Sequence, residues 1–410
     1  MTFQPMRGVK IVEVAQFTFT PSAGAVMADW GADVVKVEHA VTGDAQRGLT
    51  LGTGGSSIGS FQPLMEHPNR GKRSIGLALE NEAAREVLYE LARQADVMLV
   101  NFLPGARQKL KIDVEHIRAV NPQIIYARGS AFGNQGDERL LGGYDMSAFW
   151  CRSGSAWGAT PSDAPRLIAQ PAGAYGDSMG GMTIAGGIAA ALFARERTGE
   201  TSELDVSLLS LGAWAMSLSI GNALLMGQDV PQTSFNAVSA TFNPLVGTFR
   251  TSDDRWINFT MLQAGRYWAD TCEHLGRPDL ITDERFATVE ALMTPENTAA
   301  AAEIIGEVIA SRPFVEWVER FRSLQGQWAP IQSPLEVAND PQVRANGFIR
   351  PVVDAEGVTR ELVASPVQFD NTPPELTRAP QFAEHTDEIL GELGLTMDQI
   401  LELKLAGAVT

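Results

Sequence analysis

Residues 9–38, VKIVEVAQFTFTPSAGAVMADWGADVVKVE, decide the fold class. Residues 9–14 read as a buried strand. Residues 23–30 have helical character, Gly31-Ala32 interrupts them, and 33–37 (DVVKV) read as a second strand. The alternation then repeats. Residues 74–79 are a short strand, and 81–94 form an amphipathic helix with Ala83, Ala84, Val87, Leu88 and Leu91 on one face. Residues 97–100 and 124–127 are two further strands. Strand–helix–strand alternation of this kind predicts an α/β fold with a mostly parallel sheet. Ligands on such sheets sit beyond the carboxyl ends of the strands. Asn101-Phe102, just after the fourth strand, is such a place.

The rest of the chain is organised around three landmarks. Residues 48–60 are rich in Gly, Ser and Thr and predict a mobile surface loop. A run of small and apolar residues opens at Gly176-Asp177-Ser178-Met179-Gly180-Gly181-Met182 and ends at Arg197-Thr198-Gly199. Residues 248–260, TFRTSDDRWINFT, read as a β-hairpin turning at Asp253-Asp254. The expected division is a large domain from 1–210, a linker over 211–242, a small domain over 243–324, and a return segment over 325–410 that completes the large domain. No internal repeat is evident.

Composition narrows the class. The chain of 410 residues is 44 % hydrophobic and 20 % charged, as ordinary soluble globular proteins are. Cys151 and Cys272 are too few for a disulfide framework, which points to a reducing, cytoplasmic setting. The first residues do not read as a signal peptide. No stretch reaches roughly 18 uninterrupted apolar residues, so a membrane span is not expected. The net charge of −17 argues against nucleic acid as a partner. It also makes local basic clusters stand out: Arg70, Lys72 and Arg73 with Arg47 before them, and Arg107, Lys109 and Lys111. These suit either solvated surface or a phosphate-bearing ligand.

Several motifs fail on context. The turn after the first strand, AQFTFTPSAG, lacks the glycine pattern that binds dinucleotides. Residues 55–59 match G-x-S-x-G, but within a loop and without the strand and helix of a nucleophile elbow. The five histidines, His39, His67, His116, His274 and His385, show no metal-ligand spacing, and no metal is expected. Asp177 admits two readings. An aspartate before a long helical run is a favoured N-cap. Four glycines within nine residues, Gly173, Gly176, Gly180 and Gly181, are more than a cap requires, and they leave room for a bulky ligand near a reactive carboxylate.

Taken as an ordered set, these segments resemble the class III CoA-transferases, the family of formyl-CoA transferase, carnitine CoA-transferase and the bile-acid-inducible transferase, related to α-methylacyl-CoA racemase. The resemblance runs almost end to end. Its carriers are residues 28–38 (ADWGADVVKVE), 43–47 (GDAQR), 69–74 (NRGKRS), 101–105 (NFLPG), Gly143-Tyr144-Asp145, Gly176-Asp177, 197–199 (RTG), Asp340-Pro341-Gln342 and 385–390 (HTDEIL).

The resemblance implies a Rossmann-like large domain built from both chain ends, a smaller domain, and an interlocked homodimer. It implies CoA esters and a carboxylic acid as substrates, with no permanently bound cofactor. Asp177 matches the aspartate that attacks the thioester, a case of covalent catalysis. Thr18, Phe19, His39, Leu77, Leu79, Asn101, Phe102 and Lys109 match CoA-binding positions, with Arg47, Arg70, Lys72 and Arg73 as weaker candidates. Tyr144 and Asp145 are expected near the thioester, and the N–H groups of Gly180 and Gly181 are our candidates for oxyanion donors.

The racemase branch carries a histidine where this chain has Tyr144, and a phenol is a poor base near neutral pH. A CoA-ester-binding protein without turnover is the third alternative. The chain also departs from the transferase pattern. Thr20-Pro21 replaces a usual Gly-Pro, the ARQKLKI stretch after Gly105 lacks a glycine often present there, and residues 236–247 lack the glycine run of the formyl-CoA branch. A medium or bulky apolar acid is therefore expected rather than formate or oxalate. The Met-rich segment 212–226, with Phe242, Leu245 and Phe249 beyond it, is either core, dimer interface or acyl pocket.

Overall fold

The computed structural model describes residues 3–49, 59–234 and 243–410. The G-x-S-x-G match, most of the expected 48–60 loop and Phe242 lie outside them. The chain divides into two units, residues 1–157, 168–230 and 341–410 in the first and 158–167 and 231–340 in the second.

The first unit is built on six parallel strands: β1 (Lys10–Val14), β2 (Asp33–Glu38), β3 (Arg73–Gly76), β4 (Val97–Val100), β5 (Ile125–Ser130) and β6 (Glu203–Ser207). Their spatial order is β3-β2-β1-β4-β5-β6. The order reverses between β1 and β4, paired from Ile11↔Val97 to Val14↔Val100. Alternate residues along each strand serve opposite faces, and both faces are covered. Val12, Val14, Met98 and Val100 pack beneath α3 (Glu82–Gln94), while Ile11, Val34, Val97 and Leu99 pack beneath α1 (Phe19–Asp29) and the later helix α7 (Tyr175–Thr198). This two-sided burial explains why the strands read as apolar runs.

The other helices of this unit are α2 (Pro63–Asn69), α4 (Pro104–Leu110), α5 (Val114–Val120), α6 (Ser155–Ala159, which runs past the unit's limit at 157), α7 (Tyr175–Thr198), α8 (Leu208–Ala215) and α9 (Ser217–Met226). A π-helical turn spans Asp145–Cys151. By length and apolarity alone, the 24 residues of α7 would suit a membrane span, which the count of uninterrupted apolar residues did not suggest. Its Gly180, Gly181, Ile184, Ala185 and Ile188 are instead buried within this unit's core. Close packing on α1 depends on the glycines. A Cβ on Gly180 would stand 2.2 Å from the Phe19 ring, and one on Gly181 would stand 2.3 Å from Ser22 Cβ.

The C-terminal residues return to this sheet. The Ala78 N–H donates to the Ala408 carbonyl at 2.9 Å, and Leu77 bridges Val409. The His385 N–H donates to the Ser74 carbonyl at 2.9 Å.

The second unit holds an antiparallel sheet of β7 (Val246–Arg250), β8 (Trp256–Thr260) and β9 (Trp328–Pro330). The hairpin turns where expected, with Asp254 left-handed at φ +62°. Helices at Ala264–Leu275, Pro295–Ala310 and Phe314–Arg320 close a core around Phe259, Trp268, Trp317 and Phe321. The boundaries differ from the expected 243–324. β9 pairs with β8, so residues 325–340 stay with this unit and the return to the first begins at 341. Leu245 and Phe249 are buried in this second core, which removes them as lining for an acyl pocket.

Candidate active site

The turn after β1 contains the backbone feature that a strand pattern cannot show. Phe17 is left-handed, at φ +65°. For a bulky residue this is a strained conformation, held only where the surroundings impose it. Here the Phe17 N–H donates to Asp44 Oδ1 at 3.1 Å. The other Asp44 oxygen pairs with Lys36 at 2.8 Å in a site closed to solvent. So held, the Phe17 ring packs edge-on against Tyr144 with centroids 5.4 Å apart.

A cavity of about 480 Å³ opens at this place, beyond the carboxyl ends of β1 and β4 and extending over β5. Gln16, Phe17, Phe19, Asn101, Phe102, Tyr144 and Asp177 are among its walls. Apolar surface also comes from Leu103, Phe132, Leu141 and Leu208, and charge from Arg107, Arg128, Arg139 and Asp205. The position is the switch point of the sheet, where α/β folds place ligands. A smaller cavity of about 170 Å³ is lined by His39, Leu77, Leu79 and Glu80, and shares Gln16 and Phe102 with the first. Asn101 fastens the floor: its Nδ2 donates to the Gln16 carbonyl at 2.7 Å, and its Oδ1 accepts from the Gln16 N–H at 3.0 Å.

Asp177 lies in the first turn of α7 but does not cap it. The residue at the cap position is Ala174, and the capping carboxylate comes from elsewhere in the chain. Asp145 Oδ1 accepts the Gly176 N–H at 3.1 Å, while Oδ2 accepts from Gln170 Nε2 at 3.1 Å. Asp145 is 5 % exposed and lines neither cavity. Burial, and then the Asp145 charge, lift the Asp177 carboxyl from its ordinary value to about 7. Burial also raises Asp145, but its N–H donors oppose the rise. Behind α7, His67 Nε2 lies 3.0 Å from Ser178 Oγ; burial and the neighbouring Arg70 pull this imidazole down to about 4, so it is neutral.

The remaining sequence candidates separate. His39, Leu77, Leu79, Phe19, Asn101, Phe102, Tyr144 and Asp177 come to the two cavities. Lys109 is exposed on α4, where its charge reaches Glu80. Thr18 is buried and donates to Gln46 Oε1 at 2.9 Å, away from both cavities.

Four basic candidates are engaged by carboxylates instead. Arg47 makes two 2.7 Å contacts with Glu38. Arg70 grips Asp29, with Nη2 at 2.7 Å. Lys72 is buried on Glu13 at 2.7 Å, and Arg73 spans Asp33, Glu388 and Glu392. None of the four lines either cavity; the NRGKRS segment neutralises buried and inter-element carboxylates. Gly180 and Gly181 are likewise not oxyanion donors. They lie beyond the first turn of α7, where N–H groups belong to the helical ladder, and their Cα faces pack on Phe19 and Ser22.

Sequence reasoning missed Gln16, Phe17, Arg128, Phe132, Arg139 and Gln170. The strand-end rule that found Asn101-Phe102 also applies to Gln16-Phe17 after β1. Nothing local marks Gln170. Among the described residues, no group of three or more His, Cys, Asp or Glu is arranged to hold a metal ion.

This fold has known counterparts. The family model described as CoA-transferase family III matches residues 6–386. A solved CAIB/BAIF family protein from Brucella suis superposes with a TM-score of 0.80 at 28 % identity, covering 95 % of this chain and 99 % of its own. The (R)-2-hydroxy-4-methylpentanoate CoA-transferase of Clostridioides difficile is 27 % identical over 97 % of this chain and 98 % of its own length. The cinnamoyl-CoA:phenyllactate CoA-transferase of Clostridium sporogenes is 29 % identical over 97 % and 95 %. A formyl-CoA:oxalate CoA-transferase of Streptomyces coelicolor is 29 % identical over 100 % of both. The chain belongs to CoA-transferase family III and is an enzyme of that family, whose substrates are acyl-CoA esters and carboxylates.

Proposed function

We propose that this enzyme moves CoA from an acyl-CoA thioester to a carboxylic acid through covalent intermediates on Asp177. One observation carries the reading: the cavity at the switch point of the sheet contains a carboxylate whose surroundings disfavour its free anion. In the first step Asp177 attacks the thioester carbonyl carbon. A C–O bond forms, the C–S bond breaks, and the electron pair leaves as CoA thiolate. The thiolate then attacks the Asp177 carbonyl carbon of the anhydride, forming enzyme–CoA thioester and releasing the first carboxylate. The acceptor reverses both steps. CoA lies across Asn101 and Phe102, with its nucleotide end toward His39, Leu77 and Leu79.

The acyl group belongs to the apolar class. Phe17, Phe19, Phe132, Leu141 and Leu208 supply a largely aromatic and aliphatic wall, which suits a medium or bulky acid. The names of the relatives from Clostridioides difficile and Clostridium sporogenes agree with this class, while that of the Streptomyces coelicolor relative names the small acids.

A transfer screen with matched donors tests the reading across oxalate, formate, branched aliphatic and aryl acids, with borohydride trapping and peptide mass to locate the adduct. Transfer to branched or aryl acids with the adduct on Asp177 is expected. Preference for oxalate or formate would overturn the substrate class. Full transfer by Asp177→Ala would overturn the mechanism.

A further inference from the structure

The Asp145 carboxylate has no role in the steps above, yet it is buried and built into the N-terminus of the helix that carries Asp177. It sits at the start of the π-helical turn, whose Phe149 leaves no space for a side chain at position 176; a Cβ on Gly176 would stand 2.3 Å from that ring. The same Gly176 Cβ position is 2.7 Å from Asp145 Oδ1, so the capping carboxylate is pressed against the backbone one residue before Asp177. An uncharged side chain with one oxygen would still cap the Gly176 N–H. A charge here has a cost, and the chain bears it directly beside its reactive carboxylate.

We propose that Asp145 is a positioning residue that favours acylation of Asp177: its fixed negative charge opposes the free Asp177 carboxylate but not the neutral aspartyl anhydride or thioester. The inference rests on Asp177 being the nucleophile. Forming enzyme–CoA removes one of two adjacent charges, and the released carboxylate carries that charge away. Repulsion is thereby relieved in the direction of acylation and restored when the acceptor takes CoA. The same repulsion governs protonation, since a proton neutralises Asp177 as an acyl group does. Removing the Asp145 charge should therefore lower the Asp177 pKa and the equilibrium constant for enzyme–CoA formation by the same factor, tenfold for each pH unit.

The other charged groups around Asp177 do not substitute for this one. Arg107 is held by Asp113 at 3.1 Å, and Arg128 by Glu203 at 2.8 Å and Asp205 at 3.4 Å. Arg139 is exposed and donates to the Gly136 carbonyl. His67, on α2, is neutral. Helix α8 carries no ionisable residue, and the one acid of α1, Asp29, is taken by Arg70.

The test uses the full-length enzyme and the Asp145→Asn and Asp145→Ser variants, both of which keep a capping oxygen without the charge. Aspartate carboxyl ¹³C resonances are titrated without substrate, with Asp177 assigned by its loss in Asp177→Asn. The parent midpoint is expected near 7, and in either variant about one unit lower or more, on the scale of a carboxylate's response to a nearby charge. With the best acyl-CoA donor from the screen, the trapped enzyme–CoA at equilibrium should fall by a matching factor.

A midpoint that stays in place while only the melting temperature drops would show a purely structural cap and overturn the proposal. Trapped enzyme–CoA that fails to follow the midpoint would overturn it equally. Failure of the underlying reading is separate: Asp177→Ala would then retain transfer.

Discussion

In the proposed mechanism Asp177 concentrates the chemistry in one ionisable group, and its environment makes testable demands. Burial and the Asp145 charge lift its carboxyl to about 7, so the nucleophilic form is lost on acidification. We predict that kcat/KM falls through an acidic limb near pH 7, read from a pH–rate profile with a donor whose acyl group does not titrate and absent from the same profile for donor binding alone. Asp177→Asn should lose at least ~10³-fold in transfer, because the amide cannot form the mixed anhydride.

The same substitution should stabilise the fold above neutrality. A carboxyl raised in the folded state binds its proton more tightly there than when unfolded. Stability is therefore lost as pH rises from the ordinary aspartate range through about 7. Above pH 7 the variant, free of that ionisation cost, should be more stable by roughly 1–3 kcal/mol, measured by urea denaturation at pH 8. At pH 4 the difference should shrink. Asp177 was legible in the sequence as either a cap or a nucleophile. Only the position of Asp145, 32 residues earlier in numbering, relieves it of capping.

At the scale of elements, α7 against α1 and the ion pairs under β1 hold the cavity in shape. Gly181→Ala places a methyl 2.3 Å from Ser22 Cβ and 2.9 Å from its backbone carbon. Neither helix can yield without moving Phe19 or Asp177. We expect ~1–3 kcal/mol of lost stability with a larger loss of kcat than of donor binding, checked by denaturation and steady-state kinetics together.

Glu13 binds both Lys72 at 2.7 Å and Lys36 at 3.3 Å, with all three side chains closed to solvent. Glu13→Ala leaves the buried Lys72 without its carboxylate, while Lys36 keeps Asp44 at 2.8 Å, and should cost about 3–5 kcal/mol. Strand and helix types were legible because β1 to β5 are buried on both faces and α3 is strongly two-sided. What the basic residues pair with was not. Arg70 and Lys72 look like a phosphate site in a chain of net charge −17 until their carboxylate partners, Asp29 and Glu13, are brought in by the sheet.

At the scale of the whole molecule, α8 and α9 present an apolar surface. Trp214 is 79 % exposed, Leu224 80 % and Leu225 86 %. Patches of this kind mark association surfaces, and the occupant we expect is a second copy of the chain, in the homodimer that the family resemblance implies. Leu224→Glu with Leu225→Glu should convert a dimer to monomer in sedimentation velocity, with little change in the monomer's own circular dichroism. A parent chain that sediments as a monomer would refute the expectation. Beyond the buried Gly212, residues 213–226 are thus not core of the described chain, although their composition reads equally well as core. Burial within a chain and burial between chains demand the same apolar residues.

Alternation of apolar strands with amphipathic helices, written in local order, was enough to determine an α/β unit with a parallel sheet, and the cavity lies at its strand ends. The ordered motifs from residue 28 to 390 carried the family. Both are properties of residues near one another in sequence, or of their order. The left-handed Phe17, the Asp145 cap on the Asp177 helix, the neutralised basic cluster and the pairing of β9 with β8 were decided by tertiary structure. Each depends on which distant groups share a low-dielectric space, and the free energy of a buried charge or a strained backbone is set by those neighbours rather than by the residue itself.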